Sequence, residues 1–146
     1  MLAMVLKFIP DDASIVTAVD DTLNRKTGKR IWGAAMHHDP LLSKGKRSLF
    51  SFGHNWVVLS IQLRFEFAPD KVWSLPILMR LYRRKQKQRN PGRPRGERKA
   101  IGQTKPNEHR TRPQLAVEMI NLLASWMPDR TIHVVGDSAY AGKSIS

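Results

Sequence analysis

The chain has 146 residues, of which 41% are hydrophobic, and it carries a formal net charge of +13 with no cysteine. This composition suits about one domain with a buried core, and it excludes disulfides and thiolate zinc sites. No apolar run reaches the roughly 18 residues of a membrane span, and the apolar N-terminus lacks the basic start of a signal peptide, so we expect an intracellular protein without a membrane partner.

The first predicted element is a strand at residues 14–20, a short run rich in β-branched side chains. Asp20 and Asp21 come at its end. Since side chains alternate along a strand, these two carboxylates should point to opposite faces, and only one of them should enter any shared site. The polar, basic residues 24–30 then predict a turn.

Residues 33–53 are loop-like, because glycines and a proline interrupt them. His37, His38 and Asp39 lie in this loop. No further ligand stands at a useful spacing, so a polar loop is favoured over a metal site. Trp32 precedes them in a basic stretch, where stacking on a nucleic-acid base is the alternative to packing, the favoured interpretation.

A hairpin is predicted next. Residues 54–67 form a strand whose second half alternates between apolar and polar side chains. Residues 69–71 predict the turn, and residues 72–82 the returning strand. Pro76 cannot donate a ladder hydrogen bond, which favours an edge or irregular strand.

Residues 83–112 contain twelve basic residues against two glutamates, so they supply +10 of the net charge of +13. Their proline and glycine content predicts a long flexible insertion. Such charge density indicates a polyanion partner, and the absence of Phe, Trp and Tyr from these residues favours phosphate contacts over base stacking. The predicted DNA-binding residues are Arg83, Arg84, Lys85, Lys87, Arg89, Arg93, Arg95, Arg98 and Lys99.

The last elements are a helix and a strand. Thr111 followed by Pro113 predicts a helix start, apolar residues recur at helical spacing, and Pro128 ends the run. Residues 131–136 form a strand that leads into Asp137. The helix would act as a crossover that places this strand beside the first, next to Asp20 and Asp21. Carboxylates at the ends of two strands suit a two-metal phosphoryl-transfer site.

The motifs VDDT at residues 19–22, GHNWVVL at 53–59, RPQLA at 112–116 and GDSAY at 136–140 occur in this order. Together they resemble the catalytic domain of DDE insertion-sequence transposases over residues 14–143. The resemblance implies a ribonuclease-H-like mixed α/β sheet, here incomplete before its last strand and helices, over residues 1–146 with the basic insertion at 83–112. It also implies DNA as partner (transposon ends and target), a homo-oligomer in the full-length form and a cytoplasmic, nucleoid-associated location.

The resemblance implies two catalytic, metal-binding positions in this chain. The first is Asp20 or Asp21, with Asp21 preferred because Thr22 follows it, and the second is Asp137. They would bind Mg²⁺ or Mn²⁺ for DNA hydrolysis and strand transfer. The family's third ligand, a glutamate, has no counterpart, since Glu118 precedes Asp137 and should form the solvated helix face. We therefore expect little cleavage by this chain alone. The alternatives are a non-catalytic basic nucleic-acid-binding protein and a degenerate reading frame.

Overall fold

The computed structural model describes residues 2–28, 30–43, 47–85 and 109–140. In chain order, this part of the protein forms helix α1 (Leu2–Leu6), strands β1 (Ile15–Arg25), β2 (Ala35–His38), β3 (Phe50–Phe65) and β4 (Ala68–Tyr82), helix α2 (Arg112–Trp126), strand β5 (Ile132–Gly136) and a 3-10 turn (Ser138–Tyr140). Neither helix in the described ranges is both long and apolar enough to cross a bilayer.

The five strands form one mixed sheet in the order β2-β3-β1-β5, and β4 also pairs with β3. β3 runs antiparallel to β1, β2 and β4, whereas β5 runs parallel to β1. A parallel neighbour needs a crossover connection, and α2 lies in that connection. Antiparallel strands followed by a crossover helix and a parallel strand beside β1 confirm the predicted ribonuclease-H-like α/β fold class.

The core lies between α2 and one face of the sheet. Alternate residues of β1, namely Ile15, Thr17 and Val19, are buried on this face, as are Ile61 and Leu59, the β3 partners of Thr17 and Val19. On α2 the buried side chains recur at helical spacing, so one stripe of the helix covers the sheet. The buried apolar residues are Val5, Ile15, Val19, Val57, Leu59, Ile61, Leu63, Leu115, Ala116, Met119, Leu123, Met127 and Tyr140.

Helix α2 begins where the sequence predicts. The Thr111 hydroxyl accepts a hydrogen bond from the Gln114 backbone N–H, and the Gln114 side chain accepts one from the Thr111 N–H at 2.8 Å. This reciprocal pair satisfies two backbone donors that a helix start leaves free. Pro113 adds no unsatisfied donor in the first turn. These local contacts fix the start of the helix that covers the core.

The first strand is longer than predicted. β1 continues to Arg25, so Asp20 and Asp21 lie inside the strand rather than at its end, and the first two residues of the predicted turn at 24–30 belong to the strand. The reason is pairing: residues 20–25 match residues 53–58 of β3 one to one. This ladder stabilises an extended backbone at two aspartates that have low intrinsic strand propensity.

Two loop predictions were also wrong. Residues 35–38 form β2, and β3 already begins at Phe50, so the region 33–53 contains paired strands. The hairpin turn lies at Glu66 and Phe67, and residues 69–71 belong to β4. Pro76 fits the predicted edge position, because in the described structure β4 pairs with β3 alone and the register shifts beside it.

Candidate active site

The aspartate positions follow the last paired residues of two neighbouring strands. The parallel register runs from Ile15 opposite Ile132 to Val19 opposite Gly136. Asp137 follows Gly136 directly, just as Asp20 follows Val19. The predicted adjacency of the first and last strands is therefore confirmed, although the two positions are more than a hundred residues apart in sequence.

Asp20 and Asp21 point to opposite faces of the sheet. Asp21 continues the buried row of β1 and is half-buried, whereas Asp20 is exposed. One carboxylate oxygen of Asp20 accepts a hydrogen bond from the Asp21 backbone N–H at 2.8 Å. Only Asp21 lies on the face that α2 covers.

Three side chains contact the Asp21 carboxylate. The Asn55 amide donates a hydrogen bond to Oδ2 at 2.9 Å, and the Tyr140 hydroxyl donates one to Oδ1 at 3.3 Å. A guanidinium nitrogen of Arg112 lies 3.4 Å from Oδ2. Burial, and then the nearby Asp21 charge, raise the pKa of Tyr140, so its hydroxyl stays protonated as a donor. β1, β3, α2 and the 3-10 turn thus converge on one carboxylate.

Two buried polar atoms beside Asp21 have no hydrogen-bond partner in the described structure, namely Oδ1 of Asn55 and Nε of Arg112. Asn55 is 2% exposed. Rotating its amide would not help, because its oxygen would then face the Asp21 carboxylate. A buried oxygen without a partner, next to a carboxylate, could coordinate a hard cation or accept a hydrogen bond from a water molecule.

Asp137 is exposed and lies at the start of the 3-10 turn. Its Oδ1 accepts hydrogen bonds from the backbone N–H and the hydroxyl of Ser138, and its carbonyl accepts from the Tyr140 N–H at 2.8 Å. Tyr140 then folds back over Gly136, where an added Cβ would lie 3.3 Å from the Tyr140 Cβ. This turn is what brings the Tyr140 hydroxyl from the Asp137 segment to Asp21.

The surroundings of Arg112 are aromatic and basic. Its guanidinium carbon lies 5.1 Å from the centre of the Tyr82 ring, and the ring of His37 lies 5.9 Å from that of Tyr82. Burial, followed by the charges of Arg112 and Arg84, lowers the pKa of His37. This part of the site therefore favours a neutral histidine.

The region of His37, His38 and Asp39 is strand and strand end, so the predicted polar loop was wrong. Asp39 is buried, and both its oxygens accept hydrogen bonds from the Arg25 guanidinium, at 2.6 and 2.9 Å. Its carboxylate is thus committed to an ion pair. Among the described residues, no group of three His, Cys, Asp or Glu side chains is arranged to hold a metal.

Glu118 does not form a purely solvated helix face. It is half-buried, lies over β4, and forms ion pairs with Arg80 and Arg110. These contacts commit its carboxylate to the packing of α2 on the sheet.

The basic segment is described only at its two ends. Arg83, Arg84 and Lys85 are exposed at the end of β4. The remaining predicted DNA-binding residues lie outside the described residues; they are Lys87, Arg89, Arg93, Arg95, Arg98 and Lys99.

Sequence reasoning missed Asn55, Arg112 and Tyr140 as partners of Asp21, although each lies in a quoted motif. One signal was available for Asn55. It occupies an inward position in the row that continues through Val57, Leu59 and Ile61, where a polar residue needs a buried partner.

A family model described as DDE superfamily endonuclease matches residues 1–144. The match spans nearly the whole chain and includes both aspartate positions. No curated protein and no solved structure matches the chain.

Proposed function

Because the chain belongs to the DDE superfamily endonucleases, we propose that it carries the nucleolytic site of a DNA transposase, with Asp21 and Asp137 as carboxylates that bind Mg²⁺ or Mn²⁺. The observation that supports the proposal is the parallel pairing of β1 with β5, whose register ends at Val19 opposite Gly136, so that Asp137 follows the end of β5 directly and Asp21 is two residues beyond Val19 in β1. Ligands of open α/β sheets bind at such strand ends.

The donor chemistry fits this metal. Carboxylate oxygens are the preferred ligands of Mg²⁺, which also keeps several waters. The unpaired Oδ1 of Asn55 is a further hard oxygen beside Asp21. Bound metal would supply Lewis-acid activation of the attacking hydroxyl and stabilisation of the leaving oxygen of the phosphodiester.

The protein's own side chains would orient these ligands. Asn55 and Tyr140 hold the Asp21 carboxylate from two sides, which limits its rotation. Arg112 balances the charge of Asp21 and competes with a metal for it. Because Arg112 is about one-third exposed and also contacts the Tyr82 ring, its guanidinium has a second favourable environment.

DNA is the proposed substrate. The net charge of +13 favours a polyanion, and the exposed Arg83, Arg84 and Lys85 begin the basic segment. We propose that transposon ends and target DNA bind through phosphate contacts of this segment. Among the described residues no three His, Cys, Asp or Glu side chains are grouped to hold a metal, so we also propose that this chain alone cleaves DNA weakly.

The test measures Mn²⁺ binding by isothermal titration calorimetry. Asp21→Asn and Asp137→Asn should each weaken binding by about tenfold or more, since loss of a ligand costs at least as much as loss of its supporting hydrogen bonds. Asp129→Asn is the control, because Asp129 is exposed at the opposite end of β5. If only Asp20→Asn weakened Mn²⁺ binding, the metal site would lie on the face of the sheet opposite α2.

Nicking of supercoiled plasmid in Mn²⁺ separates the two function classes. Weak nicking that Asp137→Asn abolishes supports the nucleolytic site. Salt-sensitive DNA binding that is unchanged by metal, by Asp21→Asn and by Asp137→Asn would instead identify a non-catalytic nucleic-acid-binding protein.

A further inference from the structure

Trp32 is the feature of the surface that the proposed site does not use. Its side chain is 74% exposed, in the connection between β1 and β2, so the packing predicted for it was wrong. The guanidinium carbon of Arg83 lies 5.1 Å from the centre of its ring. A large aromatic ring is thus held at the surface with a cation against it.

The backbone below the indole is fixed. The Trp32 carbonyl accepts a hydrogen bond from Nε2 of His54 at 2.8 Å. Gly33 has a φ of +76°, and a Cβ there would lie 2.8 Å from the side chain of Leu81. A side chain at position 33 would therefore be both strained and crowded. The tight turn sits close on the sheet while the indole projects away from it.

The charge around the ring is positive. Three further basic residues close to Trp32 or Arg83 in sequence are exposed, namely Arg30, Arg84 and Lys85. Arg84 donates a hydrogen bond to the carbonyl of Met36 and not to a carboxylate. In the described structure Arg83 has no carboxylate within ion-pair distance. The positive potential here is consequently left for an external anion.

This surface shares a face of the sheet with Asp20. His54 pairs with Asn24 and Trp56 with Thr22, so the side chains of His54 and Trp56 project on the side of Asp20. The bond from His54 to Trp32 places the indole segment on that side too. A DNA strand bound here would lie on the face of the sheet opposite α2.

We propose that Trp32 and Arg83 form a stacking site for an unpaired DNA base, with Arg84 and Lys85 contacting the flanking phosphates. This inference rests on the proposed function, which makes DNA the substrate. Aromatic rings with adjacent cations bind single strands because every base has a π-face, whereas bases inside a duplex already stack on their neighbours. The ligand that we propose for this site is therefore a single-stranded or flipped nucleotide.

The experiment measures fluorescence anisotropy of a labelled single-stranded oligonucleotide with the full chain in EDTA. Trp32→Ala should weaken binding by about tenfold, and Trp32→Phe should retain most of it, because stacking survives. Trp126→Ala is the matched control, since Trp126 is 48% exposed on α2, away from this surface. The salt dependence should stay the same in Trp32→Ala, because phosphate contacts are retained, and should become shallower in Lys85→Ala, which removes one of them.

The outcomes separate this inference from the proposed function. An oligonucleotide with abasic positions should bind wild type and Trp32→Ala equally, which assigns the effect to the base. Salt-sensitive DNA binding that is equal for wild type, Trp32→Ala and Trp126→Ala would refute the stacking site and leave DNA as substrate. Absence of any DNA binding by the wild-type chain would refute both.

Discussion

Replacing Asn55 by alanine should change metal binding much more than stability. The substitution removes a hydrogen bond to the charged Asp21, worth about 1.5–3 kcal/mol, but it also removes the buried, unpaired Oδ1, whose burial costs about 1–3 kcal/mol. These contributions offset each other. We expect the free energy of unfolding to change by no more than about 1 kcal/mol, equivalent to roughly 3 °C in Tm.

Mn²⁺ affinity should nevertheless fall by about tenfold, because the Asp21 carboxylate loses the donor that orients it. Urea denaturation and Mn²⁺ titration measure the two quantities on the same sample. Asn24→Ala is the control, since Asn24 is an exposed asparagine on β1. A loss of several kcal/mol would mean that Oδ1 has a partner in solution, and unchanged Mn²⁺ affinity would show that Asn55 does not orient a ligand.

Two further predictions concern the scaffold. Hydrogen bonds from Arg25 and then Ser51 hold the pKa of Asp39 well below its usual range, so this carboxylate stabilises the fold above its unfolded pKa of about 3.9 and loses that effect as the pH falls through its folded pKa. Acid unfolding of Asp39→Asn should therefore be less steep below about pH 4 than that of the wild type, and equal steepness would contradict the assignment. Met119→Ala should cost about 2–5 kcal/mol in urea denaturation because Met119 is fully buried, whereas Met4→Ala, at a 68% exposed position, should cost less than about 0.5 kcal/mol.

The sequence predicts those parts of the fold that local rules determine. Thr111 and Pro113 mark the start of α2, and the alternation after Ser60 marks a half-buried strand. It does not predict β2, because residues 35–38 extend only through pairing with residues 50–53. The continuation of β1 to Arg25 likewise depends on β3, not on the local propensity of Asp20 and Asp21.

For the candidate site, alternation along a strand correctly separates Asp20 from Asp21, and the crossover places the Asp137 segment beside them. The sequence indicates that Asn55 needs a buried partner, but it does not identify that partner as Asp21. Asn55 and Tyr140 are 34 and 119 residues away from it in sequence, and both contacts depend on register and on the 3-10 turn. Alternation along a strand shows which face a side chain occupies, but it does not show which distant residue that side chain contacts.

The same alternation gives two identical neighbouring residues different physical roles. Asp21 lies in a half-buried row, where an ionised carboxylate is costly unless donors or a counter-charge surround it, and β3, α2 and the 3-10 turn supply these. Asp20 is solvated, and its carboxylate accepts only a neighbouring backbone N–H in the described structure. A carboxylate already held by protein donors loses less rotational freedom on binding a cation than a free one does. The hydrogen bonds of Asn55 and Tyr140, which make the burial of Asp21 tolerable, are therefore also our reason for proposing Asp21 rather than Asp20 as a metal ligand.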